Sequence, residues 1–290
     1  MTVRDKINAA RARLIAAGIE TGEAGRDANL FARHLLGWDR VTLLLREADA
    51  AGARFSAEFD AMVDRRARRE PVAYIRGIQE FWSRDFDVTP AVLIPRPETE
   101  LIVEELLKCV PKEMPTRPQR LADIGTGSGC IAITAALERP NLEIIATDIS
   151  QPALEIARLN AAHHGVSDRV TFIESAYLAG IAGTFDFIVS NPPYVSDGEY
   201  EQLAAEVRDY EPAAALKAGH DGLRDIREII RLAPDRLAPG GTMFVEIGHC
   251  HADAVSEIVA GCRGLTLKRI STDLQNIPRV AVIERNITDL

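Results

Sequence analysis

From residue 119 to the end of the chain, short apolar runs alternate with stretches whose apolar residues recur at helical spacing. Each run is apolar on both faces, as expected for strands that helices cover on both sides. The alternation predicts an α/β fold with a doubly wound, mostly parallel, seven-stranded sheet, Rossmann-like in its layers. The last two strands are close enough in sequence to pair antiparallel. The predicted strands are 120–124, 142–148, 169–174, 184–190, 242–247, 264–270 and 279–285, and the predicted helices are 129–138, 152–164, 223–237 and 250–262.

The first seventy residues show helical spacing of apolar positions and predict helices joined by short turns. Polar side chains that accept hydrogen bonds from free N–H groups favour helix starts, and glycine favours helix ends. We therefore predict a small helical bundle over residues 1–71, whose expected role is substrate recognition. The expected caps are Thr2 and Ser56, a short third helix is expected to follow Asp39, and the expected stops are Gly18, Gly37 and the residue before Pro71.

Residues 72–97 change character. Val72, Tyr74 and Ile75, with aromatic residues after them, favour strands and predict a β-hairpin linker. The segment that follows is stiffened by prolines, and Pro97 is well placed to start a helix. This segment either walls a ligand site or serves only as a hinge. The expected domains are the helical bundle over 1–71, the linker over 72–97 and an α/β domain over 98–290.

The composition narrows the class of protein. The chain has 290 residues, 47% hydrophobic and 27% charged, as in ordinary globular proteins. No apolar run approaches the roughly 20 residues that a membrane helix needs, and the first residues do not form a signal peptide. The four cysteines are far apart and form no CxxC pair, so we expect reduced thiols, a cytoplasmic location and no metal site.

The charge is unevenly distributed. Residues 1–80 carry 14 Lys and Arg against 12 Asp and Glu, whereas the remaining 210 residues carry 20 against 31. An acidic main body is a poor partner for a phosphate backbone, so no direct nucleic-acid substrate is expected. The stretch from Arg65 to Arg69 is strongly basic. It is either a solvated helix face or a contact surface for an acidic partner or RNA.

A glycine-rich turn follows the first strand of the α/β region. Alternating glycines over 125–129 allow a tight turn and a close approach of the backbone to a ligand. A nicotinamide dinucleotide fingerprint needs its last glycine at Cys130, one position after Gly129, and a phosphate-binding P-loop needs Gly-Lys-Ser/Thr, which is not present. Asp148 ends the next strand 19 residues after Gly129, where an acid that binds ribose hydroxyls is expected.

The tetrapeptide Asn191-Pro192-Pro193-Tyr194 directly follows the apolar run at 185–190. It therefore falls at the carboxyl end of a strand, where open α/β sheets bind their ligands. The prolines stiffen the backbone, so that the Asn191 side chain and the Pro192 carbonyl present two hydrogen-bond acceptors beside an aromatic ring. This arrangement suits a planar –NH2 group. Taken alone, the tetrapeptide is equally compatible with a simple proline turn after a strand.

Together, the glycine-rich turn, Asp123 before it and Asp148 after it resemble the class I S-adenosyl-L-methionine-dependent methyltransferases. The tetrapeptide is similar to that of the amino methyltransferases within this class. The whole chain resembles the HemK/PrmC family, the protein-(glutamine-N5) methyltransferases of peptide chain release factors. That family resemblance also rests on the linker segment from Ile94 to Glu100, on the preceding helical domain, and on the stretch from Val195 to Gly222.

The resemblance implies a cofactor, a substrate and a set of site residues. The cofactor is S-adenosyl-L-methionine, and the substrate is the glutamine of the Gly-Gly-Gln tripeptide in class I release factors. The family often has Asp-Trp where this chain has Ala176-Tyr177, so Tyr177 is the expected cover of the adenine. The expected cofactor-binding residues are Asp123, Gly125, Thr126, Gly127, Ser128, Gly129, Asp148, Tyr177 and Asn191; the expected substrate-binding residues are Asn191, Pro192, Pro193 and Tyr194, of which Asn191, Pro192 and Tyr194 are the expected catalytic residues.

Two other functions fit parts of the pattern. A DNA or RNA amino methyltransferase shares the tetrapeptide and the fold, but it is expected to carry a basic face near the site. A cofactor-binding sensor or assembly factor without catalysis has little need of paired amide acceptors. We therefore predict a protein methyltransferase, monomeric, with release factors as its partners and no association with membranes.

Overall fold

The computed structural model describes residues 1–111 and 117–287 of the chain. Within these residues the chain forms two compact units. The larger one, the α/β unit, consists of Gln79–Leu203 and Glu211–Leu290. The smaller one, the helical unit, consists of Met1–Ile78 together with Ala204–Tyr210. No helix in the described ranges is long and apolar enough to cross a membrane.

A mixed sheet forms the centre of the α/β unit, with seven strands among the residues described. Its strand order is β5-β4-β3-β6-β7-β9-β8, and only β9 runs antiparallel to its neighbours β7 and β8. The predicted doubly wound, mostly parallel sheet is confirmed, including the antiparallel final pair. A separate hairpin, β1 with β2, precedes the sheet. The strands are β1 Ile78–Phe81, β2 Arg84–Asp87, β3 Gln119–Ile124, β4 Leu142–Asp148, β5 Val170–Glu174, β6 Phe185–Ser190, β7 Leu237–Glu246, β8 Leu265–Thr272 and β9 Pro278–Arg285.

Helices cover both faces of this sheet, and a separate apolar core lies on each side. The strand order reverses between β3 and β6, with β4 on one side of β3 and β6 on the other. In doubly wound folds, ligands bind outside the carboxyl ends of the strands at this reversal point. The helices of the α/β unit are α6 Glu100–Cys109, α7 Cys130–Glu138, α8 Gln151–His163, α9 Asp197–Tyr200, α11 Arg224–Arg236 and α12 Ala252–Ala260, with 3₁₀ turns at Pro97–Thr99 and Ala213–Ala215.

The helical unit has its own apolar core, built around Leu14, Phe31 and Phe59. Thr2 caps the first helix through a hydrogen bond from the Asp5 N–H, and Gly37 ends the second in the left-handed conformation, both as predicted. The third helix follows Asp39 as predicted, and the Asp39 side chain caps it by accepting a hydrogen bond from the Thr42 N–H. The helices of this unit are α1 Val3–Ala16, α2 Thr21–Leu36, α3 Arg40–Arg46, α4 Ala53–Ala67, α5 Val72–Arg76 and α10 Ala205–Arg208.

Two local predictions in this region are wrong. Ser56 does not cap the fourth helix: α4 begins one turn earlier, at Ala53, and Phe55 is buried and stacks on Phe59 at 5.3 Å between ring centroids. Packing of an aromatic pair thus extends the helix past a residue type that favours caps. The expected strand at Val72, Tyr74 and Ile75 is the helix α5, and the hairpin begins only at Ile78. The prediction that Pro97 starts a helix is confirmed by the 3₁₀ turn that leads into α6.

The helical unit also contains a segment from the middle of the chain. Ala204–Tyr210 belongs to it, and Glu206 accepts hydrogen bonds from Arg66 and Arg69. Arg66 is almost fully buried and also pairs with Asp27 at 2.7 Å. Within the basic stretch at 65–69, the side chains of Arg66 and Arg69 therefore form ion pairs inside the helical unit. Arg66 therefore does not belong to a solvated helix face, whereas Arg69 remains about a third exposed.

Candidate active site

A cavity of about 700 Å³ lies at the carboxyl ends of β3, β4 and β6. Nine of the residues predicted from the sequence line it. Asp123, Gly129 and Tyr194 lie outside the lining, and Asp123 contacts it through Thr126. The predicted residues in the lining are Gly125, Thr126, Gly127, Ser128, Asp148, Tyr177, Asn191, Pro192 and Pro193.

The glycine-rich turn gives its three glycines two different roles. Gly125 and Gly127 have positive φ angles of 73° and 54°, and a Cβ added to either would meet no atom within 4 Å. Their bare backbone therefore borders the cavity. Gly129 also has a positive φ, but a Cβ there would lie 2.8 Å from Ile133 and 3.2 Å from the Cβ of Ala157. Gly129 thus permits close packing between α7 and α8, as the last glycine of such turns does.

Asp123 lies beneath the turn, with its side chain fully buried. Its Oδ2 accepts a hydrogen bond from Thr126 Oγ1 at 2.6 Å, whereas its Oδ1 has no partner among the described residues. Burial raises the pKa of Asp123 to about 7, and the nearby Asp148 carboxylate adds to this. The geometry makes Asp123 a support for the turn rather than a wall of the cavity.

Asp148 holds the other side of the turn. Its Oδ2 accepts a hydrogen bond from the Gly127 N–H and its Oδ1 accepts one from the Ser150 N–H, each at 2.9 Å. A carboxylate oxygen has capacity for more than one donor, so both oxygens can accept a further bond from a ligand hydroxyl. Asp148 therefore fixes the turn and presents negative charge to the cavity at the same time.

Tyr177 follows β5 and lines the cavity in a left-handed backbone conformation, with φ at 54°. Its hydroxyl donates a hydrogen bond of 2.7 Å to Asp225 Oδ1 at the start of α11. Burial, together with this carboxylate, raises the pKa of Tyr177 to about 12. The ring is thus held in place by a partner that the sequence analysis did not identify. A tryptophan, the residue that the resemblance expects here, has no hydroxyl to donate.

The tetrapeptide enters the cavity from the end of β6. Asn191 Nδ2 donates a hydrogen bond of 3.0 Å to Thr99 Oγ1, and Pro192 and Pro193 form the adjoining wall. Tyr194 turns away from the cavity, and its hydroxyl donates to Glu246 Oε1 at 3.2 Å. The four residues thus divide between a face that borders the cavity and an anchor in the protein interior. Within residues 1–111 and 117–287, no hydrogen bond to Asn191 Oδ1 is formed.

Thr99 and Glu246 are functional candidates that the sequence analysis missed. Thr99 Oγ1 donates to Glu246 Oε2 at 2.7 Å, and both side chains are buried. Burial raises the pKa of Glu246 to about 7. One signal was present: Glu246 is an acidic residue within the apolar run predicted at 242–247, and Thr99 lies within the linker segment from Ile94 to Glu100. Their pairing across 147 residues is not visible in the sequence.

The proline-stiffened segment forms a wall of the cavity, which was one of the two roles left open for it. Leu93 and Pro95 line the cavity, facing the residues Pro212–Ala215. Glu211 joins the two segments, because its carboxylate accepts hydrogen bonds from the Ile94 N–H at 3.1 Å and from Arg96 at 2.5 Å. The carboxylate is almost fully buried, so these charge-assisted bonds hold the wall firmly.

Comparisons with known proteins agree with this architecture. Residues 99–209 match the family model of the methyltransferase small domain, and residues 5–77 match that of the PrmC N-terminal domain. A methyltransferase structure from Pyrococcus furiosus superposes with a TM-score of 0.50 at 20% identity, covering 71% of this chain and 90% of its own. At that identity the likeness concerns the fold alone.

Two curated relatives are similar over almost the whole length. The release factor glutamine methyltransferase of Koribacter versatilis is 40% identical over 284 residues, which is 97% of this chain and 98% of its own. The protein of the same name from Cereibacter sphaeroides is 41% identical over 281 residues, which is 97% of each chain. The chain therefore belongs to the release factor glutamine methyltransferase family and has the class I S-adenosyl-L-methionine-dependent methyltransferase fold.

Proposed function

We propose that this protein transfers a methyl group from S-adenosyl-L-methionine to the side-chain amide nitrogen of a glutamine in peptide chain release factors. The observation that carries the proposal is the position of Asn191 and Pro192 in the cavity wall, near the bare glycine-rich turn. Membership of the release factor glutamine methyltransferase family supports the same substrate class. The finer assignment is the glutamine of the Gly-Gly-Gln tripeptide in class I factors.

The residues around the cavity fit this cofactor. Gly125 and Gly127 offer backbone without side chains, Asp148 offers carboxylate oxygens to ribose hydroxyls, and Tyr177 offers a fixed ring face to adenine. The cofactor carries cationic groups and no phosphate, so acidic residues suit it better than an anion-binding nest. When bound, S-adenosyl-L-methionine supplies an electrophilic methyl group. Asp123 acts by supporting the turn through Thr126.

On the substrate side, the task of the protein is to orient a weak nucleophile. The lone pair of an amide nitrogen is delocalised into its carbonyl, so the nitrogen attacks only when it is well aligned. Asn191 Oδ1 and the Pro192 carbonyl accept the two N–H groups and direct the lone pair toward the methyl group. The transfer would exchange the S–CH3 bond of the cofactor for the new N–C bond, leaving a neutral thioether, and the nitrogen gives up one of its protons to solvent.

The remaining assignments follow from composition and family. The helical unit, which includes the match to the PrmC N-terminal domain, docks the protein substrate. The enzyme acts as a monomer in the cytoplasm, where translation factors are found. The acidic balance of residues 81–290 disfavours nucleic acid as the methyl acceptor.

The test is a transfer assay with methyl-labelled S-adenosyl-L-methionine. The acceptors offered are a purified class I release factor, its variant with the tripeptide glutamine changed to alanine, and bulk DNA and RNA. The proposal predicts label on the unchanged factor alone. Label on nucleic acid alone would keep the fold and the cofactor but replace the substrate.

A further inference from the structure

Glu246 and Thr99 form a buried polar pair next to the tetrapeptide. Thr99 is 2% exposed and Glu246 is 1% exposed. Both oxygens of the carboxylate are engaged: Oε2 accepts the Thr99 hydroxyl at 2.7 Å, and Oε1 accepts the Tyr194 hydroxyl at 3.2 Å. Burying a carboxylate that has no cationic partner is costly. A role in holding the site accounts for its presence here.

The direction of these hydrogen bonds determines how the Asn191 amide is turned. A threonine hydroxyl has a single proton, and Thr99 donates its proton to Glu246. Toward Asn191, the Thr99 oxygen can therefore only accept, so the –NH2 end of the amide must face it, at 3.0 Å. If the amide were reversed, Asn191 Oδ1 would face the Thr99 hydroxyl oxygen, and two hydrogen-bond acceptors would oppose each other. The acceptor Oδ1 is consequently left free for the substrate.

We propose that Glu246, acting through Thr99, is a positioning residue that keeps the acceptor oxygen of Asn191 toward the substrate amide, and that the same carboxylate anchors Tyr194. The inference rests on the proposed function, because it concerns the orientation of the group that binds the glutamine. Neither side chain touches the reacting atoms: Thr99 reaches the cavity wall, and Glu246 lies behind it.

Thr99 offers a matched pair of variants. Thr99→Val keeps the shape of the side chain but removes the hydroxyl, whereas Thr99→Ser keeps the hydroxyl. We expect Thr99→Val to lower kcat by up to about a hundredfold, the scale of misplacing an aligned group, while the Kd for S-adenosyl-L-methionine changes little. The melting temperature should fall as well, because the buried carboxylate loses one of its two donors. Thr99→Ser should retain most of the activity. Equal activity of the two variants would overturn the proposal.

A second readout does not depend on turnover. The side-chain –NH2 signals of Asn191 can be followed by amide NMR on nitrogen-labelled protein and assigned by their loss in Asn191→Asp. In the protein with Thr99 or with Thr99→Ser, these protons should exchange slowly, because one of them is bonded to the hydroxyl oxygen. In Thr99→Val they should exchange faster. Unchanged exchange in Thr99→Val would contradict the hydrogen-bond chain.

The pH profile tests the carboxylate itself. Burial raises the pKa of Glu246 to about 7; Thr99, Tyr194 and Arg279 oppose this rise, and Glu98 adds to it, while Cys130 is a further titratable group that senses the carboxylate. A protonated Glu246 no longer accepts at both oxygens. At saturating cofactor, kcat should therefore fall as the pH drops through about 7, and the variant Glu246→Gln should have a lower kcat without this fall.

Asp123 also has a pKa raised to about 7, but it lies under the glycine-rich turn and should affect the Kd of the cofactor instead. Saturating cofactor separates the two groups. A fall in kcat that persists in Glu246→Gln would refute the role of this carboxylate. If the enzyme with its native residues did not methylate a release factor, the proposed function would fail, and the NMR measurement would still decide whether Thr99 orients Asn191.

Discussion

At the scale of single residues, Gly222 packs closely against the backbone of Tyr194, the last residue of the tetrapeptide. It has a φ of 72°, and a Cβ added there would overlap the backbone oxygen of Tyr194 and approach His251 at 3.0 Å. Gly219, three residues earlier, has a similar φ of 81°, but the nearest atom to its added Cβ is 3.9 Å away. The two glycines thus share a left-handed conformation that other residues rarely adopt, and they differ in their neighbours.

This difference gives a paired prediction. Gly219→Ala should lower the free energy of unfolding by about 1–2 kcal/mol, the cost of a left-handed conformation for an alanine. Gly222→Ala should lose more than this and should also lower kcat, because the added methyl group displaces the backbone at Tyr194. Urea unfolding and methyl-transfer rates measure the two effects. Equal losses in both variants, with equal kcat, would mean that contact with Tyr194 is unimportant.

At the scale of elements, the turn between β3 and α7 separates binding from packing. An alanine at Gly127 would extend into open cavity, whereas an alanine at Gly129 would press on Ala157 of α8, which cannot move away as a long side chain can. Both glycines have a positive φ, so an alanine at either position loses stability for the same conformational reason. The difference in stability between the two variants therefore reports what surrounds each residue.

We predict that Gly129→Ala destabilises the protein by about 1–3 kcal/mol more than Gly127→Ala does, because it overpacks a helix contact. Gly127→Ala should instead weaken cofactor binding. Thermal unfolding and calorimetric titration with S-adenosyl-L-methionine distinguish these outcomes. The assignment of the two glycines would be reversed if Gly127→Ala were the less stable variant and bound the cofactor normally.

The elements of the sheet were predictable from the sequence because buried parallel strands are apolar on both faces. Predicted and observed bounds agree within one or two residues for most strands, although β7 begins at Leu237, five residues before the predicted start. The region at Val72–Arg76 was not predictable in this way, because strand-favouring side chains form a short helix between Pro71 and the left-handed Gly77. Tertiary packing overrides propensity in so short a segment.

The candidate site was predictable where consecutive residues carry it, as in the glycine-rich turn and the tetrapeptide. It was not predictable where the fold joins distant segments. Thr99 meets Glu246 across 147 residues, and Tyr177 meets Asp225 across 48. Such pairs depend on the order of strands in the sheet, which a single sequence does not determine at the level of side chains.

At the scale of the whole molecule, the helical unit is held together by a buried arginine. Arg66 pairs with Asp27 at 2.7 Å and with Glu23 at 2.8 Å, and it also binds Glu206 of the segment Ala204–Tyr210. That segment lies between the tetrapeptide and the cavity-lining residues Pro212–Ala215 in sequence. The unit is therefore built from two separate parts of the chain.

Removing Arg66 should be costly. We predict that Arg66→Ala lowers the free energy of unfolding by about 3–5 kcal/mol, because it leaves the buried Asp27 without its partner. Arg13→Ala is the control, since Arg13 pairs with Asp64 at an exposed site, where such pairs contribute about 0–1 kcal/mol. Chemical denaturation measures both. Similar losses in the two variants would show that burial of Arg66 does not make its ion pairs important.

In the proposed reaction, an amide acceptor on Asn191 aligns the glutamine nitrogen for methyl transfer. The most direct measurement is single-turnover methylation of a release factor by Asn191→Ala, with Asn286→Ala, a surface amide that bonds Thr266, as the control. We expect Asn191→Ala to remain folded and to lose about a hundredfold or more in rate, the scale of removing one oriented polar contact to the reacting group. A rate near that of the unsubstituted enzyme would contradict the account.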